Sequence, residues 1–311
     1  MSFAIQNQYV MEFGGLTISA LNKVKFALPR DPAENAITLK KSKAKNTNIF
    51  LGCAKWGRKE WIGKIYPPGT REKDFLKFYA QHYQSIELNA THYKMYDGKH
   101  LQAWGKETGN PSFRFCPKAY RGMCFIKETP NRLRLTMDFS RNVRALGKQL
   151  GPVFITHDEK IKWDETGEKQ FFDYLEKLPT DILFFIEERW ASFYTDKKLQ
   201  NRYYARLREL KIGTVITDTA GRRDVLNMQL TIPKTFIRFV GNSLHPSDFT
   251  RIDQWATRLK KWMDAGIEDI YFFMHMHNEA TSPELTQYVV ERFNKVCKAD
   301  LPPIEFINQP A

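Results

Sequence analysis

Seven polar side chains stand at or near the ends of short apolar runs in this chain: Glu87, Asn89, Lys118, Glu187, Arg189, Asp218 and Arg238. Carboxylates so placed can move protons, and lysine or arginine beside them can hold an anion. The chemistry expected of the set is acid–base work on a small anionic substrate, phosphorylated or carboxylated. Glu187, Asp218 and Glu87 are the candidate catalytic groups. Asn89, Lys118, Arg189 and Arg238 are the candidate substrate contacts, with Tyr93 and Trp56 as stacking faces. Hydrolysis, isomerisation and lyase chemistry are all open. The bland alternative is an ion-pair network, such as Glu187 with Arg189 or Arg238, that satisfies itself and plugs a core. For a single residue the two readings weigh about equally; for the set, gathered at strand ends, the functional one prevails.

His275-Met276-His277 puts two imidazoles on one face of a strand. There they could hold a divalent metal, with His157 or one of Glu87, Glu187 and Asp218 completing the shell. The pattern also arises by chance in a chain with 7 histidines, so metal is the lesser expectation and no cofactor is named. Trp56, Trp61, Tyr66, Tyr93 and Trp190 gather near the same strand ends, and packing accounts for most of them. Gly241-Asn242-Ser243 sits where many barrels bind phosphate, a weak signal by itself. The chain has no Walker loop, no GxGxxG after a strand and no GxSxG elbow.

The elements that must position these residues are eight apolar runs: Asn48–Lys55, Ser85–Asn89, Ser112–Lys118, Pro152–His157, Asp181–Arg189, Gly213–Asp218, Thr235–Gly241 and Asp269–His277. Most are followed by a segment with helical apolar spacing: Arg71–Tyr83, Asn131–Leu150, the stretch around Phe171–Leu178, Lys197–Leu210, Ile252–Ala265 and Pro283–Val296. The element after the sixth run, around Val225–Leu230, is weak. This alternation predicts an α/β chain, a (β/α)8 TIM barrel with an N-terminal extension, whose active site would lie at the C-terminal strand ends. The division is 1–47 extension, 48–300 barrel and 301–311 tail, the extension adding a short hairpin or covering one barrel end. Strand alternation turns Glu87 and Asn89 inward, then Cys116 and Lys118, then Phe185, Glu187 and Arg189.

The net charge of +13 over 311 residues favours anionic partners, but the basic residues are spread along the chain. Lys40-Lys41-Ser42-Lys43-Ala44-Lys45 is the densest run and reads as a solvated linker. A nucleic-acid-binding or nucleic-acid-processing barrel is the alternative function, and a non-catalytic scaffold the third. Cys53, Cys116, Cys124 and Cys297 form no CxxC pair, which predicts a reduced, cytoplasmic protein. No run approaches the roughly 20 apolar residues of a membrane span. Met1–Gly15 lacks the basic start and apolar stretch of a signal peptide. Oligomeric state is not readable.

In order along the chain come Gly52-Cys53-Ala54-Lys55-Trp56, Glu87-Leu88-Asn89-Ala90-Thr91-His92-Tyr93 and Phe113-Arg114-Phe115-Cys116-Pro117-Lys118. Leu150-Gly151-Pro152, Glu187-Glu188-Arg189, Asp218-Thr219 and Arg238-Phe239-Val240-Gly241 follow. This series resembles the YecE-like family of TIM barrels, a domain of unknown function, from about Ile49 to about Val290. The second segment is similar to that family's E-x-N-x-T-x-Y and the third to its F-x-F-x-x-K strand. The resemblance implies the barrel fold and carries no established reaction. Three departures mark a divergent branch. Thr156-His157-Asp158-Glu159 stands for Gln-x-Pro-Pro, Val240 stands for a histidine two residues past Arg238, and His275-Met276 stands for Asn-Asn.

Overall fold

Eight parallel strands form where the apolar runs lie, because strands buried on both faces need continuous hydrophobic stretches. They are β1 (Asn48–Cys53), β2 (Ser85–Leu88), β3 (Arg114–Pro117), β4 (Val153–His157), β5 (Phe184–Glu188), β6 (Gly213–Asp218), β7 (Lys234–Gly241) and β8 (Asp269–Met276). The computed structural model describes residues 15–40, 42, 46–124, 130–157, 163–189 and 191–307. The strand order is β3-β2-β1-β8-β7-β6-β5-β4. The ring closes between β3 and β4 through parallel bridges, Phe115 to Leu150 and Lys118 to Phe154. The Gly151 amide donates to the Phe115 carbonyl at 2.7 Å and the Ala119 amide to the Phe154 carbonyl at 2.8 Å. This is a (β/α)8 TIM barrel.

The inward-facing side chains form their own buried cluster, including Cys116, Phe154, Phe185, Val215, Phe236 and Phe273. Rings from β4 and β7 meet across the barrel, Phe154 lying 5.0 Å from Phe236. Room for them comes from two glycines. A Cβ on Gly52 would lie 2.1 Å from the Ser85 carbonyl oxygen, and one on Gly213 would lie 2.3 Å from the Phe185 ring. The barrel is therefore a packed core, on which the polar end rests.

The helices are α1 (Ile18–Leu21), α2 (Glu34–Lys40), α3 (Phe75–His82), α4 (Ala90–Tyr93) and α5 (Gly98–Glu107). Then come α6 (Arg132–Val143), α7 (Glu165–Leu175), α8 (Lys197–Glu209), α9 (Pro246–Asp264) and α10 (Ser282–Cys297). Aspartates cap several of them: Asp97, Asp164 and Asp196 each accept an amide of the first turn. Proline opens α9 and α10, where the missing N–H leaves no bond unmade. The single helix expected over Asn131–Leu150 instead breaks after Val143 into a tighter 3₁₀ stretch in which Gly147 takes φ 55°. Helix α9 starts earlier than its apolar spacing suggested, at the Pro246 start signal. Helix α5 went unread because its buried residues are only Leu101 and Gly105.

Between β6 and β7 there is a 3₁₀ turn, Ala220–Val225, in place of a full helix. Residues 22–40 of the extension cover this stretch. The Asn35 side chain donates to the Met228 carbonyl at 2.7 Å and accepts from the Leu230 amide at 2.9 Å, while Thr38 donates to the Leu230 carbonyl. Higher up, Asp31 accepts from Arg258 at 2.7 Å and Trp262 at 3.2 Å on α9. The described part of the extension thus forms no hairpin; it is a strap that runs along α9 and covers the approach to β7.

Candidate functional site

At the C-terminal end of the barrel, β2, β5 and β7 each send a long charged side chain inward, and these meet. Arg238 donates to Glu87 through Nε at 2.9 Å and Nη2 at 2.8 Å. Its Nη1 donates to Glu187 at 2.6 Å. Glu87 also accepts from Asn89 at 2.8 Å and pairs with His275 Nε2 at 3.0 Å. Glu187 accepts from Arg189 at 2.8 Å, Thr217 at 2.7 Å and Thr156 at 3.2 Å. Every oxygen of the two carboxylates therefore has two partners. Fork-shaped pairing of this kind is the strong form of charge-assisted hydrogen bond.

Lys118 completes the cluster from β3. Its Nζ lies 5.9 Å from the Phe154 ring centroid, and the Arg238 guanidinium lies 5.6 Å from the same centroid. Its backbone is pinned: the Lys118 amide donates to the Leu88 carbonyl at 3.1 Å, and Thr91 donates to the Lys118 carbonyl at 2.7 Å. Among the described residues the crown gathers three cations and two carboxylates. Arg189 is its solvent-facing cation, with a side chain 29% exposed, whereas Glu187 and Arg238 are buried.

The titration of these groups follows from that arrangement. Burial alone would raise Glu87, but Arg238 and His275 outweigh it and hold its carboxyl well below the usual range. Glu187 is held low against burial by Arg189, Arg238 and Lys118. Lys118 moves the other way for an amine. Burial, then Arg189 and Arg238, bring it down to about 8 against the opposing pull of Glu187 and Glu87. His92, in α4, is brought down to about 4 by burial and by Lys118. Its Nδ1 lies 2.8 Å from the Ala119 carbonyl, so Nδ1 carries the proton of the neutral ring.

The structure thus brings Glu87, Asn89, Lys118, Glu187, Arg189 and Arg238 together. It does not bring Asp218 to them. Thr217 is the inward residue of β6, and Asp218, one residue on, points outward under α9. There it is partnered by Arg223, Arg251 at 2.9 Å and the Trp255 indole at 2.7 Å. Nor do the three histidines of the metal expectation converge. His275 faces the barrel, and His277 lies exposed beyond the end of β8. His157 faces outward, its Nδ1 3.0 Å from both Glu188 oxygens and its ring stacked on Phe171 at 4.7 Å. Among the described residues no three metal-ligating side chains cluster.

Tyr93 stands at the mouth, 55% exposed. Trp56 is half-buried and packs edge-on to Trp104 at 5.3 Å. Trp61 and Tyr66 are core residues, while Trp190, Asp158 and Glu159 lie outside the described residues. The loop after β7 is held by a carboxylate from the first turn of α9: Asp248 accepts the Asn242 amide at 2.8 Å and its side chain at 3.1 Å. A cavity of about 610 Å³ opens at the opposite end of the barrel, among Asn48, Phe50, Gln84 and Ser112. The sequence reading missed Thr156 and Thr217, and set Glu87 beside His275 only as a candidate metal ligand rather than as a hydrogen-bonded pair. Counting alternate residues along β4 and β6 would have found the two threonines.

Against known proteins, residues 50–305 match the family model described as Protein of unknown function DUF72. The UPF0759 protein YunF of Bacillus subtilis is 36% identical over 75 residues, which is 24% of this chain and 25% of that protein's length. The UPF0759 protein YecE of Escherichia coli is 22% identical over 265 residues, covering 79% of this chain and 93% of YecE. A crystal structure of a DUF72 family protein from Enterococcus faecalis superposes with a TM-score of 0.63 at 14% identity, covering 83% of this chain and 98% of that one.

Proposed function

The chain belongs to the DUF72 family of proteins of unknown function, and from that premise we propose an enzyme that holds a small anionic substrate, phosphorylated or carboxylated, at the C-terminal strand ends and transfers a proton on it. The observation that supports this reading is the crown itself: two carboxylates shared among three cations, with Arg189 facing solvent and Lys118 tuned to about 8. A general acid or base works best with a pKa near the operating pH. In this proposal Lys118 is the proton carrier, Arg189 and Lys118 take the anion, and Glu187 and Glu87 hold Arg238 in place. Asn89 and His275 steady Glu87. Asp218 supports the barrel wall from behind. The four cysteines are free and buried, and no described helix is long and apolar enough to cross a membrane. Both accord with a cytoplasmic location, which is part of the proposal.

The test is calorimetric titration of phosphorylated and carboxylated metabolites into the wild type, Lys118→Met and Arg189→Ala. The expected result is an anion bound by the wild type and lost in both variants while their thermal unfolding stays cooperative. Anions bound equally well by all three would sink the assignment. One observation favours a second reading: the filled oxygens of Glu87 and Glu187 also suit a scaffold whose crown is a plug. That reading expects crown variants to lose stability, with no anion bound by the wild type. Nucleic-acid binding has the net charge of +13 behind it, and would weaken steeply with salt.

A further inference from the structure

We infer that Lys118 is a nucleophile that forms an imine with the carbonyl carbon of a 2-oxo acid, whose carboxylate is held by Arg189. The inference rests on the anion reading above, gives Lys118 covalent attachment in place of proton carriage, and names a substrate class for the site. Its basis is geometric. Lys118 closes the seam between β3 and β4, 2% exposed, with its backbone fixed by β2 and α4. Its amine shares the Phe154 ring with Arg238, and Arg238 is committed to both buried carboxylates. An amine buried beside other cations, here Arg189 and Arg238, is kept from protonation, the usual way a lysine is made nucleophilic.

Among the described residues, the charged and titratable groups that bear on it include Glu87 from β2, His92 from α4, Glu187 of β5 with Arg189 just beyond it, and Arg238 from β7. With the amine brought from 10.5 to about 8, its neutral fraction at pH 7 is roughly 300 times that of an ordinary lysine. Arg189 acts on the Lys118 amine through its charge, and a carbonyl adjacent to a carboxylate is the substrate that would engage both groups. The neutral amine adds to the carbonyl carbon, and the carbonyl oxygen leaves as water with the two former N–H hydrogens. A C=N bond remains and nothing is oxidised or reduced. The protonated imine then draws electrons from the neighbouring carbon, which is what proton removal, isomerisation or carbon–carbon cleavage at that carbon requires.

The experiment is reductive trapping. The full chain is incubated at pH 7 with pyruvate, 2-oxoglutarate or glyoxylate and sodium borohydride, then peptide-mapped by mass spectrometry. Hydride and a solvent proton reduce the imine, so the adduct gains the mass of the acid less one oxygen. The expected result is labelling of Lys118 at least tenfold faster than any surface lysine, competed by inorganic phosphate. Lys118→Arg, which keeps the charge and cannot form an imine, should retain anion binding and lose the adduct. Labelling of Lys118 no faster than surface lysines, with all three acids, overturns the inference. If 2-oxo acids then still bind by calorimetry and are lost in Arg189→Ala, only the imine falls. If no phosphorylated or carboxylated compound binds either, the anion reading falls with it.

Discussion

Glu187 and Glu188 are neighbours on β5, yet they enter different worlds. Glu187 faces the barrel and joins a cation-rich crown that reaches solvent through Arg189. Glu188 faces the helices and is sealed among His157 and Tyr203, with aromatic rings around them. The same division separates Arg238 from the cluster under α9. There Asp218 and Asp248 balance Arg223 and Arg251. Arg251 lies 4.1 Å from the Phe239 ring centroid, and Phe26 of the strap lies against both arginines. One network is balanced and covered; the other gathers, among the described residues, three cations on two carboxylates, one of them a lysine that burial disfavours as a cation.

The largest effect expected is in the covered network. Arg251→Met would leave Asp218 and Asp248 short of a buried partner and cost about 3–5 kcal/mol in urea unfolding. Anion binding by the fraction still folded should be unchanged; lost binding at intact stability would break the comparison. Lys118→Met should do the reverse. It leaves two arginines facing two carboxylates and removes an unfavourably buried cation. A descent from 10.5 to about 8 corresponds to about 3 kcal/mol at pH 7. Stability by calorimetry should hold or rise toward that limit while anion binding disappears.

The pH dependence sharpens the same contrast. Glu87, Glu187 and Asp218 are lowered in the folded chain, so their contribution is present above the ordinary carboxylate range and lost as pH falls through and below it. Lys118 is a lowered base. Between about 8 and 10.5 the unfolded chain holds the extra proton, so its contribution to stability grows as pH rises through that window. Urea midpoints of wild type against Lys118→Met from pH 7.5 to 10 should show this rise only in the wild type. The smallest stability change belongs to Arg189→Ala. A partly exposed pair contributes under about 1 kcal/mol, yet anion binding should be lost to calorimetry, a fall of at least about a hundredfold or about 2.7 kcal/mol.

The strands were legible because a parallel strand buried on both faces is an unbroken apolar run. Strict alternation placed Glu87, Asn89, Lys118, Glu187 and Arg189 inward, as found. Asp218 and His157 were misread because the last residue of a run was taken to face the site whatever its parity. Thr217 and Thr156 hold the inward places. The pairing of His275 with Glu87 joins residues 188 apart and left no local trace. The weak spacing around Val225–Leu230 marks the gap in the helical layer, but nothing in residues 22–40 shows that the strap fills it, because the contacts are between residues about 190 apart.

That strap has a consequence for biosynthesis. Asn35 and Thr38 emerge from the ribosome early but must wait for Met228 and Leu230, 193 and 192 residues later, before their side chains find acceptors. Asp31 waits longer still, for Arg258 and Trp262. Such distant closures are slow, and partly built chains with uncovered apolar surface are prone to stick. The nascent barrel therefore passes through a period in which its β6–β7 flank is bare, and chaperone demand should fall once α9 has been made.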